Sequence, residues 1–406
     1  MATPVSALHP PRSEEESALA VRYGGLPADV ERRKAFEAFS KTGLPHRRLE
    51  GWRWSDVRAA LKFATAESED DAKAADLFAP LGGTVFEFRD IGADIPPDGA
   101  GVRVTKSSKP ELMDWAGEAP LAALAVALSD APAAIGIEIG KGAGTVRLSF
   151  ISGSPGQSRH IRVRVLEGVE ATVAETYLGA RAFTNVTIEY MLDPGAVLNR
   201  LTFQSGGKSA VQASTAHVRL GKGARLVQTA LAFGARLARL ETRVTHEAGG
   251  SEAILNGAYL VRDGLHADLT SHVVHEAPGC VTRQTVKGAA RKGGHGVFQG
   301  KFLVERAAQK TDAKMQHHAL LLEDGAEVNA KPELEIYADD VQCAHGNTAG
   351  AINADALFYL RQRGLPEHEA RAMLTESFIA EAFAAAEPSV ADLMMREARR
   401  WLLAPS

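Results

Sequence analysis

The apolar positions follow two different rhythms, and the changes between them divide the chain. Over residues 14–65 they recur at helical spacing. "SEEESALAVRYGG" opens on a serine backed by acidic residues, a favourable helix start, and closes on Gly-Gly. "PADVERRKAFEAFSKTG" repeats that plan and ends at Gly43. Residues 66–132 mix strand-like pieces ("TVFEFRDI", "GVRVT") with a helical one, "KPELMDWAGEAPLAALAVALS". From about 134 the chain turns to short alternating segments rich in Val, Thr, Ile and Leu, such as "VRLSF", "HIRVRVLEG" and "NVTIEYML". Alternation at period two marks strands.

After Gly350 the helical rhythm returns. "NADALFYLRQRG" closes at Gly364, and the next helix has Pro366 suited to its first turn. In that helix Ala370, Leu374, Phe378 and Ala382 share a stripe, widened by Met373 and Phe383. The last helix sets Val390, Leu393, Met394, Ala398, Trp401 and Leu402 on one face. Three short helices have little core of their own, so part of these stripes is expected to dock a partner.

The strand region carries a repeat. Segments begin from a turn glycine at Gly168, Gly195, Gly223, Gly250 and Gly279, spaced 27, 28, 27 and 29 apart, and a sixth follows Gly325, 46 beyond. The last interval reads as two slightly shortened periods. A turn-plus-strand unit at roughly 20–50 residues is the signature of stacked coils, each burying its face on the next. Turn signals of a β-sandwich recur at roughly 8–12 residues instead. The expected fold is mainly β with helical ends: an N-terminal helical region with short strands over 1–133, a parallel β-helix core over 134–350 and a helical domain over 351–406.

Charge and composition narrow the function. With 46 basic and 50 acidic side chains, the chain lacks the basic surplus of a general nucleic-acid binder. "VERRK" (30–34) and "PHRRLEGWRW" (45–54) read as solvated helix faces. No apolar run approaches the roughly 20 residues that span a bilayer. The start, "MATPVSALHPPRSEEESALA", does not read as a secretory signal. Cys280 and Cys343 form neither a disulfide framework nor a CxxC, so a reduced, cytoplasmic setting is expected. "GKGAR" (221–225) and "RKGGHG" (291–296) lack the Walker spacing and read as coil turns.

The chemistry centres on "DDVQCAHGNTAG" (339–350). A phase shift across Asp339–Asp340 predicts a bend, beyond which Val341, Cys343 and His345 share one side of a strand. The pair Cys343–His345 reads as packing, as part of a metal site, or as a nucleophile with its base. A hydrolase needs a third orienting group and an oxyanion hole; Asp339, Asp340 and Asn347 are near in sequence, but no cleft is indicated. A β-helix lyase would want carboxylate clusters that the repeats do not supply. His272, His275, His295, His317 and His318 could line a shared face across coils, though surface or satisfied-core roles are commoner. Cys280, beside a turn glycine, reads as a buried structural thiol.

Two stretches resemble a known family. "GLPHRRLEGWRWSDV" (43–57) and "QKTDAKMQHHALLLEDGAEVNAKPELEIYADDVQCAHGNTAGAINADALFYLRQRGLPEHEARAML" (309–374) are similar to the SufB/SufD scaffold proteins of iron–sulfur cluster assembly, on the SufD side. The SufB branch has a glutamate after the histidine, where this chain has Gly346. The resemblance implies a right-handed parallel β-helix between helical ends and a non-catalytic scaffold subunit. Its implied partners are a SufB-type paralogue, met through the β-helix, and a SufC-type ATPase, met through the C-terminal helices. It also implies that Cys343 and His345 are half of a composite, transient iron or iron–sulfur site completed by SufB. Flavin binding in the complex and homodimerisation of the isolated chain stay open.

Overall fold

The computed structural model describes residues 13–62, 76–90, 92–153 and 156–404. The leader reading of the N-terminus and the start of the 66–132 segment fall largely outside that set. Parallel strands wind into a two-faced solenoid of about 8 turns, with helices at both chain ends.

One face runs from Thr84–Phe88 through Val146–Ser152 and the first halves of Glu170–Leu192 and Val197–Leu220. It continues through Arg225–Ala232, Glu252–Val261, Val281–Ala290 and Asp312–Leu321 to Gln342–Gly350. The second face holds Ala134–Ile139, Gly156–Val165 and the later halves of the two long strands. Leu237–His246, His266–His275, His295–Val304 and Glu327–Ile336 complete it. The segments after Gly168, Gly195, Gly223 and Gly250 thus occupy neighbouring coils, as the glycine spacing requires. Between the faces lies one continuous apolar core, from Phe86 and Phe150 to Phe298, Phe302 and Met315.

The repeat glycines form one corner. Each backbone N–H bonds the carbonyl of the next coil's corner: Gly168 to Pro194, Gly195 to Lys222, Gly223 to Gly249, Gly250 to Pro278 and Gly279 to Gln309. All five have positive φ, which glycine adopts without strain. Next in this column comes Lys310, also at positive φ, bonded to Asp340. Gly325 belongs to the opposite corner, where Gly264 bonds Gly293 and Gly293 bonds Gly325. The 46-residue interval is therefore a coil and a half, not two shortened coils.

The helices lie on the flanks. At the N-terminal side stand α1 (Glu14–Gly24), α2 (Val30–Thr42), α3 (Val57–Leu61) and α4 (Pro120–Ala127). Ser13 and Asp29 cap α1 and α2 as their sequences predict. Arg32 departs from the solvated reading of "VERRK". It is buried, and its Nη1 donates to the carbonyls of Ala127 (2.7 Å) and Ser129 (3.3 Å). Carbonyls at the end of α4 have no partners within that helix, so a cation is drawn there.

At the C-terminal side, α5 (Ala354–Gln362), α6 (Glu367–Ala380) and α7 (Pro388–Leu403) follow the last coil. The stripe of α7 packs on Leu178, Phe203, Leu231 and Leu260, which point outward from the first face. Arg291 clamps the end of α7 by donating to Leu402 O (2.6 Å) and Ala404 O (2.9 Å). The stripe expected to reach partly for another protein thus has its partner in this chain. The exposed apolar surface is on α5 instead, where no residue is buried and Phe358 and Tyr359 are 65% and 57% exposed.

Candidate functional site

The solenoid ends at Gln342–Gly350, which pairs only on one side among the described residues, with Asp312–Leu321. A bend at Asp339–Asp340 precedes it, where the phase shift predicts one. Gln342 N–H bonds Thr311 O, so even-numbered residues of this strand point their backbone groups back into the sheet. The N–H and C=O groups of Cys343, His345, Asn347 and Ala349 face outward along a free edge. In Glu327–Ile336 the odd residues bond backward, beginning with Glu327 N–H to Gly294 O. The N–H that Pro332 lacks would lie on the free edge, where proline is tolerated.

Side chains of the same odd residues turn toward the interior. Cys343 lies over Ala313, His345 over Met315 and Asn347 over His317, and all three underlying residues are fully buried. Cys343 is half-buried against the core, whereas His345, with no coil above it, is exposed. Alternate residues of a strand set their Cβ atoms about 7 Å apart, near enough for a thiolate and an imidazole to meet one iron or one small cluster. Among the described residues no three His, Cys, Asp or Glu side chains are grouped to hold a metal ion. Cys343 and His345 alone are too few ligands to hold a cluster.

Burial pushes the Cys343 thiol above its ordinary range, Asp312 pushes it further, and only the Ala313 backbone N–H opposes them. A protonated thiol is a poor nucleophile. Asp340, one of the groups near in sequence, is paired with Lys310.

The remaining histidines do not share a face. His275 and His317 point inside; His272, His295 and His318 project outside. His246 and His275 stack at 4.3 Å and are joined through the Thr282 hydroxyl at 3.0 and 3.1 Å. Burial holds both neutral, with His275 lowered to about 4 and His246 well below its usual value. Cys280 is fully buried beside Ser251 (3.4 Å), apart from Cys343 on the last coil. His272 is lowered to about 4 by burial, then Arg243, and lines a cleft of about 230 Å³ with Trp52, Arg239, Arg243 and Lys301. The cations there already have carboxylate partners: Arg239 with Glu241 and Asp268, Arg243 with Glu118, and Lys301 with Glu335. That cleft is a seam between flank and solenoid.

The stretch 43–57 makes this seam. Trp52 lies on the Arg239 guanidinium at 3.9 Å, and Gly51 O accepts from Arg239 at 2.8 Å. Buried Ser55 donates to Asp268 (2.5 Å) and meets His266 Nε2 (3.0 Å). Glu50 reaches Lys331 on the last second-face strand (2.7 Å). Sequence reasoning missed the Tyr259–His317–Asn347 line beneath the free edge. Tyr259 Oη lies 3.0 Å from His317 Nε2, and His317 Nδ1 lies 2.6 Å from Asn347 Oδ1.

Comparison with known proteins places residues 149–378 in a family described as "SUF system FeS cluster assembly, SufBD core domain". An iron–sulfur cluster assembly SufBD family protein of Mycobacterium tuberculosis is 31% identical over 233 residues, covering 55% of this chain and 58% of that protein. The chain thus spans 58% of that relative's length. The iron–sulfur cluster assembly protein SufD of Escherichia coli is 27% identical over 360 residues, covering 84% and 85% of the two chains. The chloroplastic protein ABCI7 of Arabidopsis thaliana is 29% identical over 232 residues, 56% of this chain and 49% of that one.

Proposed function

This chain belongs to the SufBD family of iron–sulfur cluster assembly proteins, and from that premise we propose that it is the SufD-type, non-catalytic subunit of an assembly scaffold. It pairs through its bare solenoid end with a SufB-type paralogue and carries a SufC-type ATPase on its C-terminal helices. The observation that carries the reading is the edge of Gln342–Gly350 that no strand among the described residues pairs with, along which Cys343 and His345 face inward. A long unpaired edge is a template for strand addition, and a half-complete donor set needs donors from across it. The cluster is the cargo: thiolate and imidazole suit iron, and the partner supplies the other ligands. His345 is the more available donor, since it is exposed and the Cys343 thiol must first lose a proton.

The ATPase is assigned to α5 and the adjoining face of α6. Phe358, Tyr359 and Met373 are the large apolar side chains left in water there. Deleting the whole helical domain would uncover Leu178, Phe203, Leu231 and Leu260, so point substitutions on α5 are the cleaner probe. A hydrolase or lyase reading of Cys343 and His345 lacks support from the raised thiol and the open setting. The test of the function replaces His345 with Ala, confirms that the complex with the SufB-type and ATPase subunits assembles, and measures cluster formation in cells. Loss of clusters in an intact complex is expected.

A further inference from the structure

The polar line beneath the free edge has a direction. Tyr259 is fully buried, and His317 is the one partner of its hydroxyl among the described residues. A buried hydroxyl proton left without an acceptor is costly, so Tyr259 donates to His317 Nε2. That fixes the proton of the neutral imidazole on Nδ1, which donates to Asn347 and selects Oδ1 as the acceptor. The amide NH2 of Asn347 is then turned away from the interior.

The line is built into the packing. The Tyr259 ring passes over two glycines: a Cβ at Gly288 would lie 2.2 Å from its Cζ, and one at Gly296 2.1 Å from its Cε2. Those gaps let the ring reach a coil beyond its own neighbour. Phe298 stacks on the His317 ring at 4.8 Å and 6°, holding its plane. Asn347 follows His345 by two positions on the same side of the strand, about 7 Å on at Cβ, so its amide adjoins whatever His345 holds.

We propose that Asn347 is a third functional group of the terminal half-site, donating an amide N–H hydrogen bond to a sulfide of the cluster carried at Cys343 and His345. This rests on the half-site reading above. Tyr259 and His317 are positioning residues: they orient the amide and touch no cargo. A donor at a cluster sulfur stabilises the reduced, more negative cluster and slows its loss.

The experiment reconstitutes clusters anaerobically from ferrous iron and sulfide on the complex of this full chain with its SufB-type and ATPase subunits. Asn347→Ala is expected to lose its cluster to a chelator several-fold faster than the unaltered complex and to show a lower midpoint potential. Tyr259→Phe should move both readouts the same way, less far, and should add nothing to Asn347→Ala. In the isolated chain, nitrogen-15 NMR should find His317 with its proton on Nδ1, and a mixture of tautomers in Tyr259→Phe. Unchanged chelator kinetics and potential in Asn347→Ala, additive effects in the double variant, or an Nε2–H tautomer in the unaltered chain would each overturn the proposal. His345→Ala is read in the same series. If it keeps a full cluster, the half-site reading itself fails; if it alone loses the cluster, only the role of Asn347 fails.

Discussion

At its N-terminal end the solenoid is covered by antiparallel strands: Ala93–Asp94 lies on Thr84–Phe88, and Val102–Ser107 on Ala134–Ile139. At the other end no strand among the described residues lies on Glu327–Ile336 or Gln342–Gly350. Interiors differ too. The column of Val165, Leu192 and Leu220 passes through His246 and His275 before it returns to Val304 and Ile336. The adjoining corner changes from Val169, Ala196 and Ala224 to Ser251, Cys280 and Thr311 before Val341. A capped end with an apolar corner needs nothing further. The coils before the bare end enclose a polar patch, and the bare end itself leaves its last strands open on one side among the described residues.

Four perturbations sharpen this comparison. The largest effect is expected between the two ends, where the Glu175 carboxylate accepts from Arg200 Nε and Nη2 (2.6 and 2.7 Å) and from the hydroxyls of Tyr177 and Tyr190. Glu175→Ala leaves the buried Arg200 unpaired and should lower stability by about 3–5 kcal/mol in denaturant unfolding. It should weaken both ends alike.

Acid should separate them. His275 and His317 are lowered to about 4 and His266 to about 3, each first by burial, against an ordinary value near 6.5. The unfolded chain therefore takes up protons first. The contribution of these groups is whole above about pH 6.5 and is lost as pH falls toward 4. Amide hydrogen exchange at pH 5 against pH 7.5 should find the coils after His246 loosened before those holding Val165 and Leu192.

How much of this asymmetry was legible in sequence follows from which residues mark the turns. The first corner was visible because glycine holds it five times. It goes out of sight where Lys310 takes the positive-φ position, so that Gly325, from the other corner, continues the series by spacing alone. The second corner is hidden because Glu170–Leu192 and Val197–Leu220 run through it as continuous strands, in which Gly179 and Gly206 read as strand residues and lack the positive φ of Gly234, Gly264, Gly293 and Gly325. The shared side of Cys343 and His345 was legible, since alternation is local. Asn347 was not, because its role depends on Tyr259 and on two glycines that only the winding brings beneath it. The α7 stripe was seen, but its partner was a solenoid flank whose outward leucines look like ordinary strand residues.

The C-terminal flank offers a smaller test. Replacing Phe358 and Tyr359 with Ser should weaken ATPase binding by about 2 kcal/mol, roughly thirtyfold, while thermal stability changes little. Matching loss of stability would mean that α5 is part of the fold's core.

The smallest effect concerns the free edge. Ala349→Pro removes an N–H that faces outward, so pairing with the SufB-type subunit should weaken by up to about tenfold with little change in the monomer's stability. Thr348→Pro removes an N–H directed back to Asp312–Leu321 and should destabilise the monomer itself. Equal behaviour of the two variants would put the bare edge outside the interface.

The half-site at that bare end is tested most directly by His345→Ala in the assembled complex. Complex composition is confirmed by size and subunit ratio, and cluster formation in cells is measured by iron, acid-labile sulfide and absorbance of the purified complex. Undisturbed assembly with cluster content falling to a small fraction of the unaltered level is the predicted result. Full cluster content in an intact His345→Ala complex would contradict it and return Cys343 and His345 to end-of-core packing.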